Sequence, residues 1–248
     1  MLVSWEMPTN HYTVVVTYMR SIFYGNTYGF QIYIYSAKLT MFITGKCVAE
    51  NIEYFQELAK RDNIELGGHT YSAFRPILLH HIYRIFFGSY YGPKFYKKYD
   101  IQRTINAFKG IGIDLKAWRT HGYMKDAVLY SLLSSAGIEI VSDEIRLGSA
   151  QIYREHGLWQ VPITMPPDDE IYRAVIKRNE NEIWKWKNNF QSMLRSEFSK
   201  GKDIIIQAHP LIQGLMDGFE ALHQTLKMLK EADYKFLTLS EYVGRRAL

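Results

Sequence analysis

The chain has 248 residues, 47% of them hydrophobic and 22% charged, enough to bury a substantial core in one domain. The net charge of +5 is mildly basic, but pairs such as Lys97-Lys98 and Arg245-Arg246 do not extend into basic runs, which argues against nucleic-acid binding. A single cysteine, Cys47, excludes an intramolecular disulfide and a multi-cysteine metal site.

From Met1 to Pro8 there is no basic stretch followed by a long apolar one, and no later run approaches the roughly 20 apolar residues of a membrane helix. The expectation is therefore a cytoplasmic protein without a transmembrane segment. The run Tyr12–Tyr18, rich in valine and threonine, predicts a buried strand, as does Leu39–Ile43, which stops before Gly45. Val48, Ile52, Phe55 and Ala59 fall on one helical face, with Cys47 expected as a small packed residue. Ile64–Leu66 predicts a short strand running into Gly67-Gly68-His69. Residues 74–99 interrupt the pattern with aromatics, Pro76, Gly88, Gly92 and Pro93, and are expected to pass over the surface. His80-His81 reads there as part of an ordinary amphipathic stretch.

Ile101, Ile105 and Phe108 form the next helical face, with Asp100 as its expected cap. Lys116–Arg119 predicts a strand, Val128, Leu129, Leu132 and Leu133 a helix closed by Gly137. Strands are expected at Ile138–Ser142 and Leu158–Ile163, and a long helix at Glu180–Lys200. Asp203–Gln207 is the clearest buried strand. Phe219, Leu222, Leu226 and Leu229 predict a last helix, and Phe236–Leu239 a last strand.

Repeated strand–helix alternation predicts an α/β fold with parallel strands, either a barrel or an open sheet. No glycine-rich nucleotide loop accompanies it. Ligands in such folds gather at the C-terminal ends of the strands, where this sequence places His69, Arg119 and His209. The chain is also rich in aromatics, at 15% with 19 tyrosines. Such rings stack on sugar faces or simply fill half-buried strand positions.

Five segments carry a resemblance to a known family. Leu39-Thr40-Met41-Phe42-Ile43-Thr44-Gly45, Glu65-Leu66-Gly67-Gly68-His69-Thr70-Tyr71-Ser72, Trp118-Arg119-Thr120-His121-Gly122-Tyr123, Ile206-Gln207-Ala208-His209-Pro210 and Leu239-Ser240-Glu241-Tyr242 occur in the order and spacing of the NodB-homology polysaccharide deacetylases. The resemblance runs from about residue 12 to the end. It implies a distorted (β/α) barrel of about seven parallel strands and hydrolysis of an acetamide on a carbohydrate or glycan precursor. It also implies a divalent metal such as zinc held by one Asp and two His, a second Asp as base, and the late histidine, His209, as proton donor.

The sequence departs from the family at the metal. Ala73 stands where the second metal histidine belongs, and His121 replaces a proline. The first-strand acids are missing if the motif falls on Thr17–Ser21. If it falls on Val3–Met7, Glu6 remains as a candidate base while Met7 takes the metal position. His69 is then the one metal ligand retained, with His121, His80 or His81 as conceivable replacements. The expected catalytic residues are His209, Arg119 and Glu6, and the expected substrate contacts are His121, Tyr123, Tyr71 and Trp159. Two functions remain open: a deacetylase working without the usual metal set, or a non-catalytic glycan-binding or scaffold protein on the same fold.

Overall fold

The computed structural model describes residues 12–19 and 37–247. Among them, nine strands join one sheet in the order β6-β7-β5-β4-β3-β2-β1-β8, with β9 pairing the start of β1. They are β1 (Tyr12–Met19), β2 (Leu39–Ile43), β3 (Ile64–Gly68), β4 (Ala117–Trp118), β5 (Ile140–Val141), β6 (Tyr153–Glu155), β7 (Leu158–Gln160), β8 (Ile204–Ala208) and β9 (Lys235–Leu237). The β6–β7 hairpin is antiparallel and every other pairing is parallel. Fully buried runs such as Leu39–Ile43 and Ile204–Ala208 fit parallel strands covered on both faces.

Register decides where the chemistry can sit. Ile43 pairs with both Met19 and Gly68, Gly68 with Trp118, and Trp118 with Val141. On the other flank of β1, Thr17 pairs with Ala208. The strand ends are therefore level, and the residues that follow them, His69, Arg119 and His209, emerge along one rim. Gly67 and Gly68 permit this close packing. A Cβ on Gly67 would lie 2.6 Å from the Phe42 ring, and one on Gly68 2.6 Å from the Trp118 indole.

The chain after β7 returns to β8. Thr164 N donates to Ile205 O at 3.0 Å, and Ile205 N donates to Thr164 Oγ1 at 2.9 Å. The segment after β7 thus meets β8 through hydrogen bonds rather than through a regular ladder. Inside lies a cluster of Phe42, Ala117, Ile140, Val161, Ile163, Ile205 and Leu237. Leu239, Tyr242 and Val243 of the C-terminal helix Leu239–Arg246 complete this cluster at the far end of the strands. There Asp203 anchors the helix, accepting from Arg246, from Tyr242 Oη at 3.0 Å and from Tyr12 N at 3.1 Å.

Three expectations are corrected. Residues 74–99 hold regular structure that the broken pattern concealed: Ile77–Phe87 is a helix, and Lys94–Lys109, which starts before the face expected from Ile101, is another. Pro76 and Pro93 are their N-caps and Gly88 ends the first with φ 64°, so the breakers punctuate helices rather than forbid them. Asp100 is not a cap. It lies mid-helix, buried, and accepts from Tyr91 Oη at 2.8 Å and Tyr71 N at 3.1 Å. The expected strands around residues 116–119, 138–142 and 158–163 shrink to two or three residues each, because backbone pairing there is limited to the rim-level contacts. Cys47 is packed as expected, and burial pushes its thiol up to about 11.

Candidate active site

The C-terminal rim carries a connected polar network. His209 follows β8 and precedes Pro210, the first residue of the helix Pro210–Asp217, so its backbone is held at a strand-to-helix junction. Asp168, fully buried in the loop after β7, accepts from His209 Nδ1 at 2.6 Å and from His209 N at 2.7 Å. Gln213 Nε2 donates to the same carboxylate at 2.9 Å. By taking the Nδ1 hydrogen, Asp168 fixes the tautomer and orientation of the ring. The His209 side chain is 25% exposed.

Gln207, on β8, ties this pair to the neighbouring strands. Its Oε1 accepts from Arg119 and from Tyr123 Oη, and its Nε2 donates to Asp169 Oδ1 at 3.2 Å. Arg119, 2% exposed, also donates to Ser142 Oγ at 3.1 Å, and its guanidinium lies 4.5 Å from the centre of the Tyr123 ring. Burial pushes the Tyr123 phenol up to about 12, which keeps it a hydrogen-bond donor at neutral pH. Beneath them Asp143, itself buried, accepts from Thr120 N and Oγ1 and fixes the turn after β4. Burial raises the Asp143 carboxyl above its ordinary value.

His69 joins from β3. Its Nδ1 donates to Arg119 O at 2.8 Å, so its Nε2 accepts, and His121 Nδ1 lies 3.0 Å from that atom. The predicted residues His69, Arg119, His121, Tyr123 and His209 thus belong to one contiguous assembly. Arg119 lies beneath its surface, where it positions neighbours. Tyr71 and Trp159 lie elsewhere. The Tyr71 ring is covered by the Arg103 guanidinium at 3.7 Å, and Trp159 packs with the interior cluster under Arg154 at 4.5 Å. Glu6 falls outside the described residues.

The residues present do not fit the metal set that the family resemblance implies. Ala73 offers a methyl group where an imidazole is needed, and β1 is Tyr-Thr-Val-Val-Val-Thr-Tyr-Met with no carboxylate. The strand's place between β2 and β8 supports the Thr17–Ser21 frame for the first motif. His80 does not substitute: it is buried, with Nδ1 against Tyr90 O at 2.9 Å. Among the described residues no third ligand joins His69 and His121. The one group of ligand atoms close enough to share a cation there is Asp168, Asp169 and His209, and the Asp168 oxygens are already committed to His209 and Gln213.

Asp168 and Asp169 were missed by sequence reasoning. They lie in Pro166-Pro167-Asp168-Asp169-Glu170, at the start of the 3-10 turn Asp168–Ile171 and well past the end of β7 at Gln160, so the strand-end rule that selected His209 did not reach them.

The site and sheet together define a parallel α/β rim bearing an acid–histidine pair, and the fold is that of the family 4 carbohydrate esterases (CE4), the NodB-like polysaccharide deacetylases. A protein from Mycobacterium smegmatis described as a polysaccharide deacetylase superposes with a TM-score of 0.67 at 13% identity, over 98% of this chain and 93% of that one. The CE4 domain of a multidomain xylanase from the hindgut metagenome of Trinervitermes trinervoides gives a TM-score of 0.58 at 18% identity, over 96% and 93%. A CE4-family pseudoenzyme from Bacillus anthracis gives 0.57 at 13% identity, over 95% of this chain and 66% of that chain. No protein-family model matches the sequence, and no curated protein matches it.

Proposed function

We propose that the chain is a divergent polysaccharide deacetylase-type hydrolase, cleaving the acetamide C–N bond of an N-acetylated carbohydrate without the family's His/His/Asp-held metal. The observation that carries this is the Asp168–His209 pair at 2.6 Å, with His209 held directly after β8. His209 Nε2 is the proton donor to the departing sugar amine, and Asp168 fixes the ring's orientation and its Nδ1 hydrogen. Asp169, exposed beside them and held by Gln207, is the base that takes a proton from the attacking water. The water oxygen joins the carbonyl carbon, the C–N bond breaks, and acetate and a free amine result. Arg119 sets Gln207 and, through its carbonyl, the His69 ring. His121 and Tyr123 are the substrate contacts best supported by position. The testing experiment is acetate release from N-acetylated oligosaccharides by the wild type and by His209→Ala.

A second reading, a non-catalytic glycan-binding protein, draws support from one feature. Ala73 stands where the family's second metal histidine belongs, and β1 carries no carboxylate. Absence of acetate release from the wild type, with retained oligosaccharide binding, would favour this second reading.

A further inference from the structure

The helix Ile77–Phe87 is amphipathic in the inverse sense. His80 and Tyr83 face the protein, His80 fully buried among Phe74, Tyr90 and Tyr96. Leu78, Ile82, Ile85 and Phe86, spaced along one helical stripe, face outward at 72%, 41%, 76% and 75% exposure. The Tyr83–Tyr96 ring contact at 5.0 Å brings up the helix Lys94–Lys109, which adds Phe95 and Tyr99, both largely exposed. A contiguous apolar surface of this kind requires an occupant.

Charge specifies the occupant. From Leu66 to Tyr99 the sequence holds no Asp or Glu, while Arg75, Arg84, Lys94 and Lys98 are exposed and in no ion pair among the described residues. A helix presenting leucine, isoleucine and phenylalanine with basic residues and no acids suits the boundary between anionic headgroups and acyl chains. At 11 residues it is about 16 Å long, far short of a hydrocarbon core of roughly 30 Å, so it would lie in the interface plane.

We propose that this two-helix surface docks the protein on an anionic lipid bilayer. Its position relates it to the rim. Phe74 packs on His80 at 5.0 Å and on His121 at 5.5 Å, one ring bridging the docking helix and the polar network. Docking holds independently of any chemistry at His209.

The test is co-sedimentation of the full chain with phosphatidylglycerol-containing vesicles and with pure phosphatidylcholine vesicles. The variants are Leu78→Ser/Ile85→Ser/Phe86→Ser and Arg84→Glu/Lys94→Glu/Lys98→Glu, with circular dichroism to verify that each folds. The wild type should partition onto the anionic vesicles, and each variant should lose that partition by roughly tenfold or more. Equal partition of wild type and folded variants would overturn the proposal, and so would no partition of the wild type. Sedimentation velocity showing a wild-type dimer that the serine variant dissociates, with no vesicle binding, would assign the surface to a second copy instead.

Discussion

Asp168 holds His209 at two points, taking the ring hydrogen at 2.6 Å and the backbone N–H at 2.7 Å. Forty-one residues apart in sequence, the two are locked together by the closure of the β7 segment against β8. The carboxylate therefore fixes both where the imidazole stands and which of its nitrogens carries the hydrogen shared with Asp168. His209→Ala should lower turnover by roughly 100-fold or more while leaving the melting temperature nearly unchanged. Asp168→Ala should lower both, because a fully buried site that receives three hydrogen bonds loses their acceptor, at a cost of about 2–4 kcal/mol. Steady-state kinetics with thermal unfolding of both variants separates the effects.

Asp169 is exposed, so its replacement isolates chemistry from stability. Asp169→Asn should reduce kcat by roughly 100-fold with an unchanged melting temperature. Wild-type turnover in this variant would remove Asp169 as the base.

Gln207 is the shared acceptor of the Arg119 guanidinium and the Tyr123 phenol, all within the protein. Gln207→Leu fills similar space without an acceptor. It should destabilise the fold by about 2–3 kcal/mol in denaturant unfolding. A loss within experimental error would mean that neither donor depends on Gln207.

Asp100 makes stability depend on pH. Burial pushes its carboxyl up to about 6 from 3.8, against the hydrogen bonds from Tyr91 and Tyr71 that lower it. The folded state therefore holds the proton more tightly than the unfolded one. The stabilisation is fully present below about pH 3.8 and is lost as pH rises towards 6, by on the order of 3 kcal/mol. Asp100→Asn, which keeps an acceptor oxygen, should flatten this segment of the stability–pH curve. An unchanged curve would place the titration elsewhere.

Much of the fold was legible because Leu39–Ile43 and Ile204–Ile206 are continuous apolar or β-branched runs, which state their own burial, and Ile64-Glu65-Leu66 carries two of the same residue types. His69 and His209 were legible for the same reason, since each follows such a segment, whereas Arg119 follows only the short Lys116-Ala117-Trp118. Residues 77–87 showed only an amphipathic stretch because Pro76, Gly88, Gly92 and Pro93 read as breakers, whereas Pro76, Gly88 and Pro93 cap helices. Asp168 and Asp169 were hidden differently. Their significance depends on His209 and Gln207, and a proline-flanked acidic pair has no periodicity to announce a contact across 41 or 38 residues. The mid-helix role of Asp100 likewise depends on Tyr71, which only tertiary packing brings to it.

The most direct measurement of the central claim is acetate release from an N-acetylated oligosaccharide after exhaustive chelator dialysis, with metal content verified by elemental analysis. The account predicts that wild-type turnover survives chelation and falls by roughly 100-fold in His209→Ala. Turnover abolished by the chelator and restored by one equivalent of zinc would contradict it, placing a metal on ligands that the described residues do not supply.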